Sequence, residues 1–147
     1  MKIELKLSGA EDAHIIKNLW PLYQHETSEF ELLKPNSHGV FGVEDSVKTL
    51  SEHGPGPWWA DSDALFPYLI LVDGAPAGFN LIAGKPRLWK GAYGDFCVEE
   101  FFVLHAYRGL EVAERAATLG FQAHRGLWEV FTWPNNPRAI AFWRRVI

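Results

Sequence analysis

The chain has 147 residues, of which 48% are apolar and 14% aromatic, with a formal net charge of −4 at pH 7. This composition predicts one folded domain over residues 1–147, excludes a disordered chain, and argues against nucleic-acid or anionic-membrane binding, which requires a basic surface. A single cysteine, Cys97, and the lack of a long apolar segment favour a soluble protein in the reducing cytoplasm.

The first elements predicted along the chain are a strand and a helix. Residues 3–7 alternate apolar and charged side chains, which is the pattern of a half-buried strand. Ser8 and Glu11 have the spacing of a capping box, and apolar residues then recur at helical spacing as far as Tyr23. Pro21 lies inside this pattern and predicts a kink or an early end of the helix.

The segment from residue 26 to residue 64 has a weaker pattern. Short helices are predicted over residues 30–33 and 45–53, where apolar side chains cluster. The run His53-Gly-Pro-Gly-Pro57 then predicts a surface loop, because glycine and proline interrupt regular structure.

Strands dominate the middle of the chain. Residues 66–72 and 77–82 favour strands, and Asp73-Gly74 between them predicts a tight hairpin turn. Residues 97–104 are apolar on both faces apart from two glutamates, which predicts a buried strand.

Two helices and a strand complete the prediction. Small and apolar residues at helical spacing predict a helix that begins near Val112 and ends near Gly126. Residues 127–132 predict a strand, and Asn136-Pro137 predicts the start of a last helix that continues to Ile147. This order of elements predicts an α/β fold with a sheet of mixed direction.

The turn between the strand at 97–104 and the helix at 112 is the first candidate site. Such a turn directs free backbone N–H groups beyond the strand end, and the helix dipole favours an anion there. Arg108 adds a positive charge. The pattern is compatible with a phosphate-binding turn and also with an ordinary strand-to-helix connection, which is the commoner case without Gly-rich spacing.

Two motifs late in the chain carry a family resemblance. Val103-Leu-His-Ala-Tyr-Arg-Gly-Leu-Glu-Val-Ala113 resembles the acyl-CoA signature Arg/Gln-x-x-Gly-x-Gly/Ala of the GNAT N-acetyltransferase superfamily. Asn136-Pro-Arg-Ala-Ile-Ala-Phe-Trp143 is similar to the superfamily's Asn-x-x-Ala-x-x-Phe-Tyr motif. Their order and separation agree with that fold over nearly the whole chain. Residues 22–30, 77–79 and 142–147 are similar to a bacterial branch of predicted acetyltransferases.

The resemblance implies a fold and a cosubstrate. The implied fold is α/β, a GNAT-like mixed central sheet flanked by helices. The implied cosubstrate is acetyl-CoA, with its pantetheine arm between two splayed strands and its pyrophosphate on the turn after the central strand. The residues implied to bind it are Phe102, Val103 and Leu104 for pantetheine, the amides of Arg108, Gly109, Leu110, Glu111, Val112 and Ala113 for pyrophosphate, and Asn136 for the thioester end.

A carboxylate on the central strand of the superfamily often receives the amine proton. The resemblance implies Glu100 for that role, with Glu99 second. From the residues alone, both glutamates are equally well explained as ion-pair partners at the strand end. The histidines include no pair at metal-ligand spacing, so no metal site is predicted.

Three positions depart from the family pattern. Glu111 replaces the inner glycine, and its carboxylate, with Glu114 one turn later, is expected to repel a pyrophosphate by about 1 kcal/mol or more. Trp143 replaces the tyrosine that protonates the leaving thiolate, which leaves Tyr107 or water for that step. The chain ends at Ile147 without the usual last strand, so the sheet edge is expected to stay open or to be covered by another chain.

Three hypotheses follow. The first is an N-acetyltransferase that moves an acetyl group from acetyl-CoA to an amine of a small molecule. The second is a GNAT-fold protein with lost or impaired CoA binding that acts as a non-catalytic ligand-binding or dimerising module. The third is a domain that obtains its missing strand from a second copy, as a homodimer.

Overall fold

A computed structural model describes residues 1–49 and 54–147, which form one sheet with helices on both faces. The strands are β1 (Ile3–Leu7), β2 (Leu65–Val72), β3 (Ala75–Gly84), β4 (Phe96–Val103) and β5 (Trp128–Val130). The helices are α1 (Ala13–Thr27), α2 (Val112–Ala123) and α3 (Pro137–Val146), and a 3₁₀ turn spans His105–Tyr107. No helix in this part of the chain is long and apolar enough to cross a membrane.

The strands lie in the sheet in chain order, from β1 to β5. β1 to β4 pair antiparallel, and β5 pairs with β4 in parallel. This mixed sheet flanked by helices confirms the predicted α/β, GNAT-like fold class. Within the described residues no strand follows β5, which is therefore an edge of the sheet.

Apolar side chains fill both faces of the sheet. On one face, Ile16 of α1 packs with Phe79 and Leu81 of β3. On the other face, Ala116 of α2 and Trp143 of α3 are buried. The side chains of β4 contribute to both faces, because successive side chains of a strand point to opposite sides of the sheet.

The central hairpin confirms its prediction closely. β2 and β3 pair antiparallel around Asp73 and Gly74, which have φ angles of 49° and 81°. Positive φ at both central residues is typical of the type I′ turn, whose twist matches that of the flanking strands.

The capping box predicted for α1 does not form, and the early end predicted as one of two possibilities at Pro21 does not occur. The helix begins at Ala13, and no Ser8–Glu11 capping box forms: the Ser8 hydroxyl and the Gly9 N–H both donate to Asp12 Oδ1 instead. Pro21 does not end the helix, which continues to Thr27. A proline removes one backbone hydrogen bond, and the packing of apolar side chains on both sides of it keeps the helix together.

The helix predicted over residues 30–33 does not form. Leu32 is fully exposed, so the apolar side chains of this segment share no buried face. Of the helix predicted over residues 45–53, the part at 45–49 is a turn followed by irregular chain, and residues 50–53 lie outside the described residues. The Asn36 side chain organises this region by donating to the carbonyls of Glu44 and Val47.

Three element ends differ from prediction by a few residues. β4 ends at Val103, so Leu104 lies beyond it. α2 ends at Ala123 because His124 adopts an extended backbone and its ring bonds the Tyr68 hydroxyl. β5 covers only Trp128–Val130 of the predicted 127–132.

Gly78 allows β3 to lie against β4 where β4 ends. A Cβ at this position would lie 1.9 Å from the carbonyl oxygen of Phe102. We expect Gly78→Ala to lower the free energy of unfolding by about 3 kcal/mol, because the backbone of one strand must move. Urea unfolding measures this change.

Gly84→Ala is the matched control on the same strand. Its Cβ would meet only side-chain atoms, those of Phe96 at 3.2 Å and Phe66 at 3.5 Å, so we expect a loss below about 1 kcal/mol. Equal losses for the two variants would contradict the argument from backbone contact.

Candidate functional site

β4 and β5 pair over a short distance and then separate. Phe96, Cys97 and Val98 pair with residues 128–130, after which β5 ends while β4 continues to Val103. The backbone of residues 99–103 therefore has no strand partner on the β5 side. We call this opening the β4–β5 gap. An extended ligand with its own hydrogen-bonding groups fits such a gap, because it replaces the missing strand.

A β-bulge in β4 lies at the start of this gap. Leu81 of β3 pairs with Glu100 and Ile82 pairs with Val98, so Glu99 is an extra residue without a partner in β3. Glu99 is exposed, whereas Glu100 is half-buried. A bulge redirects the side chains around it, and here the two predicted catalytic glutamates differ in environment because of it.

Glu100 is a carboxyl group held in an apolar environment. Its side chain accepts a hydrogen bond from the Tyr23 hydroxyl of α1. Burial raises the pKa of Glu100 to about 7, the carboxylates of Glu99 and Glu31 add to the rise, and the hydrogen bond from Tyr23 opposes it. A group with a pKa near neutrality exchanges protons readily at physiological pH.

The sequence pattern placed Tyr23 on the apolar face of α1 and within the family-like segment 22–30, and it predicted no site role for this residue. The structure places its ring against Trp20, Phe79 and Phe102, with centroid distances of 5.3, 5.4 and 5.7 Å. The signal available in the sequence was a tyrosine on an otherwise apolar helix face, since a buried tyrosine hydroxyl usually requires a hydrogen-bond partner.

Arg108, the first residue of the predicted acyl-CoA motif, is held at the end of β4. Its Nε donates to the Val103 carbonyl at 2.9 Å, and its guanidinium lies 2.7 Å from the Glu26 carboxylate of α1. His105 lies 3.1 Å from the same carboxylate. The Arg108 side chain therefore connects the turn to α1, and the Arg108 backbone N–H donates to the His105 carbonyl at 3.1 Å. The Arg108 amide, one of those predicted to bind pyrophosphate, is thus already used within the turn.

Glu111 has the backbone conformation that a glycine favours. Its φ angle is 63°, in the left-handed region, and its side chain is exposed. Glu111 is also the N-cap of α2 and makes no side-chain capping hydrogen bond. The first turn of α2 therefore has N–H groups without a side-chain cap, which is the arrangement that binds anions.

Glu114 and Trp143, which also depart from the family pattern, have structural partners. Glu114 forms an ion pair with Arg145 of α3 at 2.8 Å, which offsets the repulsion expected from its charge. Trp143 is buried and its ring lies 5.2 Å from that of Phe101, on the face of the sheet covered by α2 and α3. Tyr107 packs with Val103 and Val112 on the α2 side.

Asn136 is a helix cap, as predicted. Its side-chain oxygen accepts a hydrogen bond from the Ala139 N–H at 3.1 Å and so caps α3. Its implied contact with the thioester end of a cofactor stays a prediction.

Cys97 lies at the paired end of β4 and is buried. Burial raises the pKa of the Cys97 thiol to about 12, so it is not a nucleophile near neutral pH. Among residues 1–49 and 54–147, no three histidine, cysteine or carboxylate side chains are grouped as metal ligands.

A cleft of about 460 Å³ lies between the segment after α1 and the segment after β5. Its lining consists of Phe30, Glu31, Leu32, Leu33 and Trp133. Glu31 lies close enough to Glu100 to raise the pKa of that carboxyl. The cleft therefore combines apolar walls with a negative charge, a combination that favours a cationic ligand with a carbon framework.

Comparison with known families gives one match. The family model described as the acetyltransferase (GNAT) family matches residues 19–146. No curated protein sequence matches the chain significantly.

Solved structures show the same fold. AAC(6′)-Iy in complex with the bisubstrate analogue CoA-S-monomethyl-acetylneamine superposes with a TM-score of 0.62 at 16% identity, over 99% of this chain and 90% of that one. An acetyltransferase from Thermus thermophilus gives 0.64 at 15%, over 99% and 85%. Ribosomal-protein-alanine N-acetyltransferase from Brucella melitensis biovar Abortus gives 0.56 at 18%, over 95% and 88%. At such identities the likeness concerns the fold.

The conformation of Glu111 generates a prediction about stability. We expect Glu111→Gly to raise the free energy of unfolding by about 0.5–1 kcal/mol. The left-handed region costs a non-glycine residue about 1–2 kcal/mol, and the greater freedom of glycine in the unfolded chain offsets about 0.5–1 kcal/mol of that gain. Urea unfolding measures the difference.

Glu111→Gln separates backbone from charge. It removes the charge and keeps a side chain at positive φ, so we expect a change within about 0.5 kcal/mol. If the glutamine variant gained as much stability as the glycine variant, charge and not backbone conformation would be responsible.

Proposed function

This chain belongs to the acetyltransferase (GNAT) family, and we propose that it transfers an acetyl group from acetyl-CoA to an amine of a small molecule. One observation carries the proposal: the β4–β5 gap has the half-buried carboxyl of Glu100 at its start and is followed along the chain by the uncapped N-terminus of α2. The first feature suits proton transfer from an amine, and the second suits a pyrophosphate.

In this proposal acetyl-CoA occupies the gap. Its pantetheine arm lies along the backbone of residues 102–104, which has no strand partner on that side. Its pyrophosphate accepts hydrogen bonds from the amides of residues 109–113, where Gly109 and Glu111 have positive φ angles. The Arg108 N–H is left out because it donates to the His105 carbonyl. Asn136 lies near the thioester end. The CoA-based bisubstrate analogue held by AAC(6′)-Iy supports this use of the fold.

The chemical step needs an uncharged amine. Glu100 as carboxylate accepts a proton from the ammonium group of the acceptor, directly or through water. The amine nitrogen then bonds to the acetyl carbonyl carbon and gives its second proton to water, which leaves an amide. The carbon–sulfur bond breaks, and the CoA thiolate takes a proton from water or from Tyr107. Glu99, exposed on the bulge, is the second candidate for the base.

The cleft beside Glu31 and Trp133 is the proposed acceptor site. Its negative charge attracts an ammonium group, and its apolar walls contact the carbon framework of the acceptor. A small-molecule amine fits this cleft better than a nucleic acid, because the carboxylates of Glu31, Glu99 and Glu100 repel phosphates.

The non-catalytic alternative rested on the charge of Glu111. The Glu111 side chain is exposed to solvent, and Glu114 is paired with Arg145. We therefore expect neither carboxylate to prevent CoA from binding. The acetyltransferase proposal is therefore the better supported of the two.

Acetyl transfer is tested with purified chain, acetyl-CoA and a panel of amines: a polyamine, an amino-acid amide and an aminoglycoside. Released CoA is followed with a thiol reagent between pH 5 and pH 9. We expect kcat/KM to fall as the pH is lowered through about 7, because Glu100 must be ionised to accept a proton. We expect Glu100→Gln to reduce kcat/KM by about 10²–10³ and to remove this acid limb.

Glu11→Gln removes an equivalent charge from an exposed position before α1, and we expect it to leave the profile unchanged. If Glu100→Gln kept full activity with the same pH dependence, a group other than Glu100 would accept the proton from the ammonium group. If none of the amines led to release of CoA, the proposed activity would be contradicted.

A further inference from the structure

We propose that Tyr23 is a positioning residue for this reaction: its hydroxyl holds the Glu100 carboxylate at the β4–β5 gap and favours the ionised form of that carboxylate. The inference deepens the proposed function, on which it rests for the role of Glu100. Tyr23 itself belongs to neither the acyl-CoA motif nor the last-helix motif, and it lies 77 residues before Glu100 in the chain.

Packing fixes the place of the Tyr23 hydroxyl. The ring is enclosed by Trp20 of its own helix, Phe79 of β3 and Phe102 of β4. Phe79 meets it edge-on, with an interplanar angle of 80°. An aromatic ring held from several sides has few alternative positions, so the hydroxyl at its end has a defined location. That location is within hydrogen-bonding distance of Glu100 Oε2.

The charged groups around Glu100 explain why this hydrogen bond matters. Glu31, after α1, and Glu99, on β4, both carry negative charge and both disfavour ionisation of Glu100. The basic side chain of the turn after β4, Arg108, is bound to Glu26 and the Val103 carbonyl. The hydrogen bond from Tyr23 opposes burial and these two carboxylates.

Two neutral groups complete the surroundings. Burial, with the Glu100 carboxylate next in importance, raises the pKa of Tyr23, so its hydroxyl stays protonated and acts as a donor rather than as a base. Cys97 lies in the paired part of β4, before the gap. Burial raises the pKa of its thiol, which therefore carries no charge near neutral pH.

Apolar packing alone does not account for a tyrosine here. A phenylalanine ring would fill the same space among Trp20, Phe79 and Phe102, and a buried hydroxyl loses its hydration unless it finds a partner. The favourable interaction of the Tyr23 hydroxyl is therefore its hydrogen bond to Glu100. Removal of the hydroxyl leaves the ring contacts in place.

The test measures the titration of Glu100 directly and needs no substrate. The full chain is labelled with ¹³C at the glutamate side-chain carboxyl, and the Glu100 resonance is identified by its loss in Glu100→Gln. We expect the wild-type resonance to titrate near pH 7. We expect the midpoint in Tyr23→Phe to rise by about one pH unit, the effect of losing one hydrogen bond to a charged group.

Tyr68→Phe is the matched control. Tyr68 lies on β2 and its hydroxyl bonds His124, on the side of the sheet away from α1, so we expect the Glu100 midpoint to stay where it is in wild type. An unchanged or lower midpoint in Tyr23→Phe, or an equal rise in Tyr68→Phe, would overturn the inference. Far-UV circular dichroism checks that both variants remain folded.

Activity provides a second readout that separates the inference from the proposed function. In Tyr23→Phe, the acid limb of kcat/KM is expected to move to higher pH, with the difference from wild type narrowing at pH 9. A loss that is equal at every pH indicates a structural role and contradicts the inference. If no amine is acetylated but the carboxyl midpoint rises in Tyr23→Phe, the proposed function fails and the coupling between Tyr23 and Glu100 stands.

Discussion

The early end of β5 is the constraint on which the site depends. A strand inside a sheet normally has hydrogen-bonding partners on both sides, yet the second half of β4 is paired only with β3. The extra residue Glu99 bends β4 at the start of this unpaired stretch, and Gly78 allows β3 to lie close against its end. The gap is thus built into the sheet, and its unpaired backbone suits a ligand with amide groups along an extended chain.

Charge is distributed along this gap in a way that suits acetyl transfer. The uncapped first turn of α2 presents N–H groups to an anion. The Glu114 carboxylate, which would repel an anion there, is paired with Arg145. At the start of the gap, burial places the Glu100 carboxyl near the point of half-ionisation at neutral pH. One region therefore has the groups that suit an anion, and another has a carboxyl that suits proton exchange.

Local sequence patterns predicted most helices and strands. Contacts between residues far apart in the sequence were not predicted. The Asp73-Gly74 hairpin and the Asn136 cap each depend on a few neighbouring residues, so their signals are complete in the sequence. The bond between Tyr23 and Glu100 joins two elements that only the folded sheet brings together. At Glu111 the sequence showed an unfavourable charge, whereas the structure shows the left-handed backbone that the replaced glycine would have adopted.

The most direct test of this account is an amide map of acetyl-CoA binding by ¹⁵N-labelled chain in two-dimensional NMR. The account predicts saturable shifts concentrated in residues 102–104 and 108–113, with smaller shifts at Asn136. Free CoA is expected to move the same amides, because pantetheine and pyrophosphate make the contacts. Shifts confined to another surface, or none at millimolar acetyl-CoA, would contradict the claim that the β4–β5 gap is a cofactor site.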